Sequence, residues 1–153
     1  MSFDPRAEVK DILEGGVTAT VDAGGAATLL FMYTDGWEPF KKLFIVDGYD
    51  ALIVVAPSTK VMAEDNKRIQ DVPLRYNANV PVQVLAINTS TVTASTILEK
   101  IRKSVRAVIE AAPQQVEYTI FLSRVQPANR PRGGYNPLWQ DDYIIYIRPL
   151  IGD

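Results

Sequence analysis

The residue types that most often carry catalysis are either missing from this sequence or poorly placed. The chain contains no histidine and no cysteine, which excludes the commonest general base and all thiolate or disulfide chemistry. Acidic residues do occur close together, at Asp47 and Asp50, Glu64 and Asp65, and Asp141 and Asp142. Neighbours on a strand point to opposite faces, so Asp141 and Asp142 are poor candidates to share a proton. No phosphate-binding loop, nucleophile motif or metal-ligand spacing is present. We therefore expect a protein that is not an enzyme and that uses no cofactor or metal.

One basic segment has the composition of an interaction site. The sequence "NRPRGGYNPLWQ", residues 129–140, combines arginine and aromatic residues, which are enriched in interface hot spots, with prolines that limit the entropy lost on docking. We predict a projecting hairpin loop at about 126–139. Its expected contact residues are Arg130, Arg132, Tyr135 and Trp139.

Two other interpretations of this loop stay open. Single-stranded nucleic acid binds to similar combinations of arginine and aromatic residues, but two aspartates follow the loop at once. The loop could also do no more than connect two strands. A protein interface explains more, because exposed tyrosine, leucine and tryptophan side chains favour association.

Length and charge limit the class of protein. A chain of 153 residues suits one domain, which we assign to 1–153. The net charge of -2 gives no general attraction to nucleic acid or to anionic membranes. No apolar run reaches the ~20 residues that a membrane span needs, and the first ten residues lack the layout of a signal peptide. We expect synthesis in the cytoplasm, no membrane association and no specific nucleic acid partner.

The strongest helix signal lies in "TVTASTILEKIRKSVRAVIEAAP", residues 91–113. Its apolar residues recur at helical spacing and predict a helix at about 94–112 that Pro113 ends. These residues are Ile97, Ile101, Val105, Val108 and Ala112. Thr96 and Glu99 fit a capping box, unless the helix begins nearer Thr93. The opposite face carries Lys100, Arg102, Lys103 and Arg106, which predict a solvated face or a second docking surface.

The remaining elements are one short helix and several strands. "FDPRAEVKDILEGG" predicts a helix capped by Asp4. Apolar runs predict strands at 29–33, 43–46 and 51–56, the last two joined as a hairpin by "DGYD". A polar excursion at about 58–80 predicts a long loop with a short strand at 72–76.

The second half of the chain completes the predicted sheet. A strand in "VPVQVLAINTS" precedes the long helix. Strands at 116–125 and 143–148 form an antiparallel hairpin, and the latter is apolar on both faces, so it is central in the sheet or lies under a partner. The pattern predicts an α+β fold, with a single mainly antiparallel β-sheet, an N-terminal helix and one long helix packed against it.

Three segments in this order resemble the tail terminator (tail completion) proteins of long-tailed phages and archaeal tailed viruses. "FDPRAEVKDILE" is similar to their opening helix, and "VPVQVLAINTSTVTASTILEKIRKSVRAVIEA" to a strand that enters a helix through a Thr/Ser-rich turn. "PLWQDDYIIYIRPL" is similar to their closing segment, where a tryptophan precedes the last strand. Residues 17–36 and 58–80 have no counterpart in this pattern.

The resemblance implies a non-enzymatic structural protein of the virion. Such proteins form a homo-oligomeric ring, usually a hexamer, which caps the tail tube protein and presents a surface to a head-completion or neck protein. Two alternatives remain: another neck or tail-tube structural subunit, and a small non-enzymatic α+β module that binds a ligand or peptide. The oligomeric state discriminates between a ring and a monomeric binding module.

Overall fold

The computed structural model describes residues 4–34, 40–62, 76–112, 118–128 and 138–149 of the chain. These residues form three helices and six strands, which together make the predicted α+β fold. In chain order they are α1 (Pro5–Gly16), β1 (Leu29–Tyr33), α2 (Phe40–Ile45), β2 (Ala51–Val55), β3 (Thr59–Met62), β4 (Tyr76–Ala86), α3 (Ala94–Ala111), β5 (Tyr118–Gln126) and β6 (Trp139–Pro149).

A single mixed sheet, mainly antiparallel, contains all six strands. Five strands follow the order β1-β2-β4-β6-β5, and β3 pairs with β4 beyond the end of β2. The β1–β2 pair is parallel, and every other pair is antiparallel. This doubly apolar strand was predicted to be central in the sheet or to lie under a partner. β6 lies between β4 and β5, so the first of these is confirmed. The β5–β6 hairpin is also confirmed, with a register shift between Leu122 and Arg124.

The N-terminal helix α1 begins and packs as its sequence predicts. The carboxylate of Asp4 accepts hydrogen bonds from the backbone N–H groups of Arg6 and Ala7, at 3.1 and 3.3 Å, and so caps the helix. Val9 and Leu13 are fully buried in the core. A Cβ on Gly16 would lie 3.0 Å from the side chain of Val108, so the glycine permits the close approach of α1 to α3.

The long helix α3 packs together with α1 on one side of the sheet, which we call the first side. Ile97, Ile101 and Val105 are buried as predicted, and Val108 is half-buried. Of the two predicted starts, the one near Thr93 is confirmed and the capping box at Thr96 and Glu99 is wrong, because Thr93 is the N-cap. The side chain of Thr93 makes no capping bond. Instead, the side-chain carbonyl of Asn88 accepts from the backbone N–H of Ala94 at 2.8 Å, which supplies the missing cap from the preceding turn.

The second side of the sheet carries α2, where the sequence predicted a strand at 43–46 and a hairpin with 51–56. This prediction is wrong. Leu43 and Phe44 are adjacent and both buried, and they pack against Leu52, Val54, Leu85 and Ile87. A strand would have pointed them to opposite faces. β2 has no free edge for a hairpin partner, since β1 pairs on one side and β4 on the other. Gly48 makes the turn into β2 at a φ of 77°.

The predicted loop at about 58–80 is shorter than expected. Residues 59–62 form β3 and residues 76–80 begin β4, and the two strands pair from Thr59 opposite Asn79 to Met62 opposite Tyr76. The backbone N–H of Ala56 bonds to the carbonyl of Pro81, so β3 continues the path of β2 along β4. Residues 63–75, which include most of the predicted strand at 72–76, lie outside the described residues.

The predicted hairpin loop at about 126–139 also has narrower bounds. Gln126 ends β5 and Trp139 begins β6, and both belong to the sheet. Residues 129–137 lie outside the described part of the chain. The predicted strand at 29–33 is confirmed as β1, and just before it Thr20 forms an isolated antiparallel bridge with Ala26.

Candidate interaction site

Asp141 is the most enclosed charged residue among those described, and it binds three parts of the chain. Its carboxylate has no exposed surface. The guanidinium of Arg102 on α3 donates to it at 3.0 to 3.2 Å, and the phenol of Tyr143 on β6 donates at 3.2 Å. The backbone N–H of Ala128, just beyond β5, donates at 2.7 Å. We call Arg102, Ala128, Asp141 and Tyr143 the Asp141 cluster.

The Asp141 cluster holds its charges and protons in one arrangement. Asp141 is paired with the guanidinium of Arg102. The phenol of Tyr143 and the N–H of Ala128 donate to its remaining lone pairs, as burial of a carboxylate requires. Burial, and then the negative charge of Asp141, raises the pKa of the Tyr143 phenol far above its usual range. The phenol therefore stays protonated and acts only as a donor to the carboxylate. Asp142, the next residue, lies on the opposite face, as the strand pattern predicts.

The four basic residues predicted on the outer face of α3 have different surroundings. Arg102 turns toward the sheet and pairs with Asp141. Lys100 donates to the backbone carbonyl of Thr20 at 3.1 Å. Lys103 forms an exposed pair with Glu99 at 3.4 Å, and Arg106 is exposed. The sequence missed the role of Arg102, since its partner lies 39 residues away and only the fold brings the two together.

Trp139 was predicted in the loop, and the structure places it at the start of β6 opposite Ala86. Its ring is half-buried and packs against the core on the first side of the sheet, while Leu138 packs against the core on the second side. The indole Nε1 is buried and has no hydrogen-bond partner among the described residues. Trp139 is thus a packing residue in this structure. Arg130, Arg132 and Tyr135 lie outside the described residues.

Three large hydrophobic side chains are exposed in the described part of the chain, and all three lie on the second side of the sheet. Phe121 of β5 is 47% exposed and stacks on Tyr146 of β6, with ring centroids 4.6 Å apart. Ile45 and Val46, at the end of α2, are 61% and 70% exposed. Since α1 and α3 cover only the first side, we call the surface formed by these residues the open face.

Beside α2, the open face contains a cleft of about 380 Å³. Buried Phe44 and Ile87 contribute apolar lining, and the Thr89–Thr91 turn contributes hydroxyl groups. Asp50 fixes this turn in place, because its carboxylate accepts from the hydroxyl of Thr91 at 2.8 Å and from the backbone N–H of Thr28 at 2.7 Å. With both oxygens of Asp50 bonded, its role is to hold the turn.

Neither a cluster of metal ligands nor a membrane-spanning helix is found among the described residues. No group of three or more acidic side chains among them is arranged to hold a metal ion. Within the same residues, no helix is long and apolar enough to cross a bilayer. The described surface carries the open face, and at the end of β5 a buried carboxylate fixes Ala128.

No protein-family model matches the chain. No curated protein gives a significant match to it.

Proposed function

We propose that this protein is a structural protein of the virion, a tail terminator that forms a ring, caps the tail tube and joins it to the head or neck. The observation that carries the proposal is the open face. Ile45 and Val46, at the end of α2, and Phe121 of β5 all lie on the second side of the sheet, whereas α1 and α3 cover the first. Apolar surface gathered on one side of a small protein is typical of an assembly interface.

The proposal assigns a separate task to each part of the surface. The open face packs against another protein, since burying its apolar area releases water and stabilises the complex. Arg130, Arg132 and Tyr135 contact the neighbouring subunit, where arginine can make bidentate bonds to carboxylates. Contacts between two different surfaces of identical subunits close into a ring when the rotation between subunits allows it. A hexamer, the tail tube protein and a head-completion or neck protein are the assembly and partners that the sequence resemblance implies.

Light scattering after size exclusion, with electron microscopy of the same fractions, tests the proposal. We expect rings, either in solution or at the ends of added tail tubes. Phe121→Asp places a charge on the open face and should abolish them. Ala107→Asp places the same charge on the exposed outer side of α3 and should leave them intact. A monomer at every concentration that also fails to bind tubes would rule the proposal out.

The two alternatives give different results in the same experiment. Another neck or tail-tube subunit would associate without stopping tube growth, or would itself polymerise. A binding module is favoured by the cleft beside α2, whose volume falls within the range of small-ligand sites. Such a module would stay monomeric or dimeric. An apolar peptide would shift the amide resonances of Ile87 and Thr91 without any change in oligomeric state.

A further inference from the structure

The Asp141 cluster fixes a piece of backbone that the sheet itself does not fix. The last pair between β5 and β6 joins Gln126 to Asp142. Ala128 lies beyond this pair, and its N–H donates to Asp141 at 2.7 Å, the shortest contact of that carboxylate. Residues 129–137 follow directly. The carboxylate therefore sets the position of the last described residue before that segment.

A buried ion pair contributes little net stability, because the cost of removing two charges from water offsets most of their attraction. Its best-attested use is to specify one arrangement over others. Position 141 lies on the same face of β6 as Tyr143 and Ile145, which are buried in the apolar core. An apolar residue would fill this position, but it could not accept the N–H of Ala128.

We infer that Asp141 is a positioning residue: it fixes Ala128, and with it the point where the chain leaves the sheet toward residues 129–137. This inference rests on the proposed function, in which that segment contacts a neighbouring subunit. Arg102 then acts on assembly by holding Asp141 and makes no contact of its own with the partner. Arg102 was predicted as an interface contact, and in this inference it instead holds Asp141 in position.

Two double variants separate this role from general stability. Asp141→Leu with Arg102→Met replaces the ion pair by apolar side chains and removes the acceptor for Ala128. Asp141→Asn with Arg102→Met also removes the ion pair, but its amide oxygen can still accept that N–H. Both should keep the circular dichroism of the wild type. Hydrogen exchange at the Ala128 amide and ring formation by light scattering are then measured on each.

In the leucine variant we expect the Ala128 amide to exchange about tenfold faster or more, as for the loss of a hydrogen bond to a charged group, and ring formation to be lost. The asparagine variant should keep Ala128 protected and form rings. Protection or rings retained by the leucine variant would overturn the inference, as would loss of rings in both variants. If the leucine variant does not fold, Ala128→Pro, which removes the N–H and leaves the Arg102–Asp141 pair in place, must abolish rings.

Failure of the wild type to form rings or to cap tubes is a separate result. It overturns the proposed function, and the exchange rate of the Ala128 amide then decides the positioning role by itself.

Discussion

The phenol of Tyr143 donates a hydrogen bond to the carboxylate of Asp141, two residues earlier on the same strand, at 3.2 Å. Burial is the largest cause of the rise in the pKa of this phenol above its ordinary value of 10.0, and the charge of Asp141 adds to it. The unfolded chain releases the proton near pH 10, whereas the folded protein retains it. Above pH 10 the folded state therefore binds more protons than the unfolded state. The contribution of Tyr143 to stability is fully present below this pH and is lost as the pH rises above it.

Tyr143→Phe removes this titrating group, and it should flatten the loss of stability in alkali. Above the ordinary pKa of tyrosine, we expect the free energy of unfolding of the wild type to fall more steeply than that of the variant, by up to about 1.4 kcal/mol per pH unit. Urea unfolding of both proteins at a series of alkaline pH values measures the two slopes. Equal slopes would show that the phenol titrates normally and that its environment is not the one described.

Ile101→Ala tests the packing of α3 on the sheet. Ile101 has no exposed surface and lies in the main core, so we expect a loss of roughly 2–5 kcal/mol in the free energy of unfolding. Glu99→Ala, an exposed change on the same helix, should stay within about 0.5 kcal/mol of the wild type. If the denaturation midpoint of Ile101→Ala equals that of the wild type, this face of α3 does not form the core.

Phe44→Ala and Ile45→Ala test the packing of α2 on the sheet. Phe44 is 3% exposed and its neighbour Ile45 is 61% exposed. Truncation of Phe44 should cost about 3–5 kcal/mol, whereas truncation of Ile45 should be nearly neutral in the monomer. Thermal unfolding of the two variants gives the comparison. Equal costs would contradict the packing of α2, and a loss of rings in the stable Ile45 variant would support the open face as an interface.

Trp139→Ala should destabilise the monomer, in contrast to the loop residue that the sequence predicted. The ring packs against the first-side core, so we expect a loss of about 2 kcal/mol or more in the free energy of unfolding. Chemical denaturation followed by circular dichroism measures it. A variant as stable as the wild type would show that the Trp139 ring does not pack in the core.

Arg132→Ala should behave in the opposite way. The contact of this arginine with a neighbouring subunit is a prediction from the sequence. We expect the variant to keep the free energy of unfolding of the wild type. Loss of an interface hot spot costs about 2 kcal/mol or more in binding, roughly 30-fold in affinity. Light scattering across a dilution series should therefore show rings dissociating at higher concentration than in the wild type. Unchanged dissociation would mean that Arg132 lies outside the interface.

Sequence reasoning succeeded where the pattern was long and repeated. The helical spacing from Ile97 to Val108 spans three turns, and this helix is confirmed. The apolar run of β6 predicted a strand that is central or lies under a partner, and the structure places it between two other strands. Sequence reasoning failed at residues 43–46, because a short apolar run fits a strand or a helix equally well. The deciding fact was that β1 and β4 occupy both edges of β2, which only the complete sheet reveals.

Less of the candidate site than of the fold could be predicted from the sequence. Trp139 and Arg102 are of residue types that are common at interfaces. Within the monomer, however, Trp139 packs against the core and Arg102 pairs with Asp141. The Arg102–Asp141 pair joins distant positions that no local pattern connects. The open face was missed because its exposed members, Ile45 and Phe121, are apolar residues within ordinary elements. Their exposure depends on which side of the sheet the helices cover.

The central position of β6 also constrains how the chain folds. β6 separates β4 from β5 and provides the only pairing that β5 makes among the described strands. During synthesis, β5 emerges before this partner exists, and β4 still has an open edge. Unpaired strand edges promote aggregation, and pairing between distant strands is slow. A chain that stops before β6 thus cannot complete the sheet, so only chains that include this strand would present subunits competent for assembly.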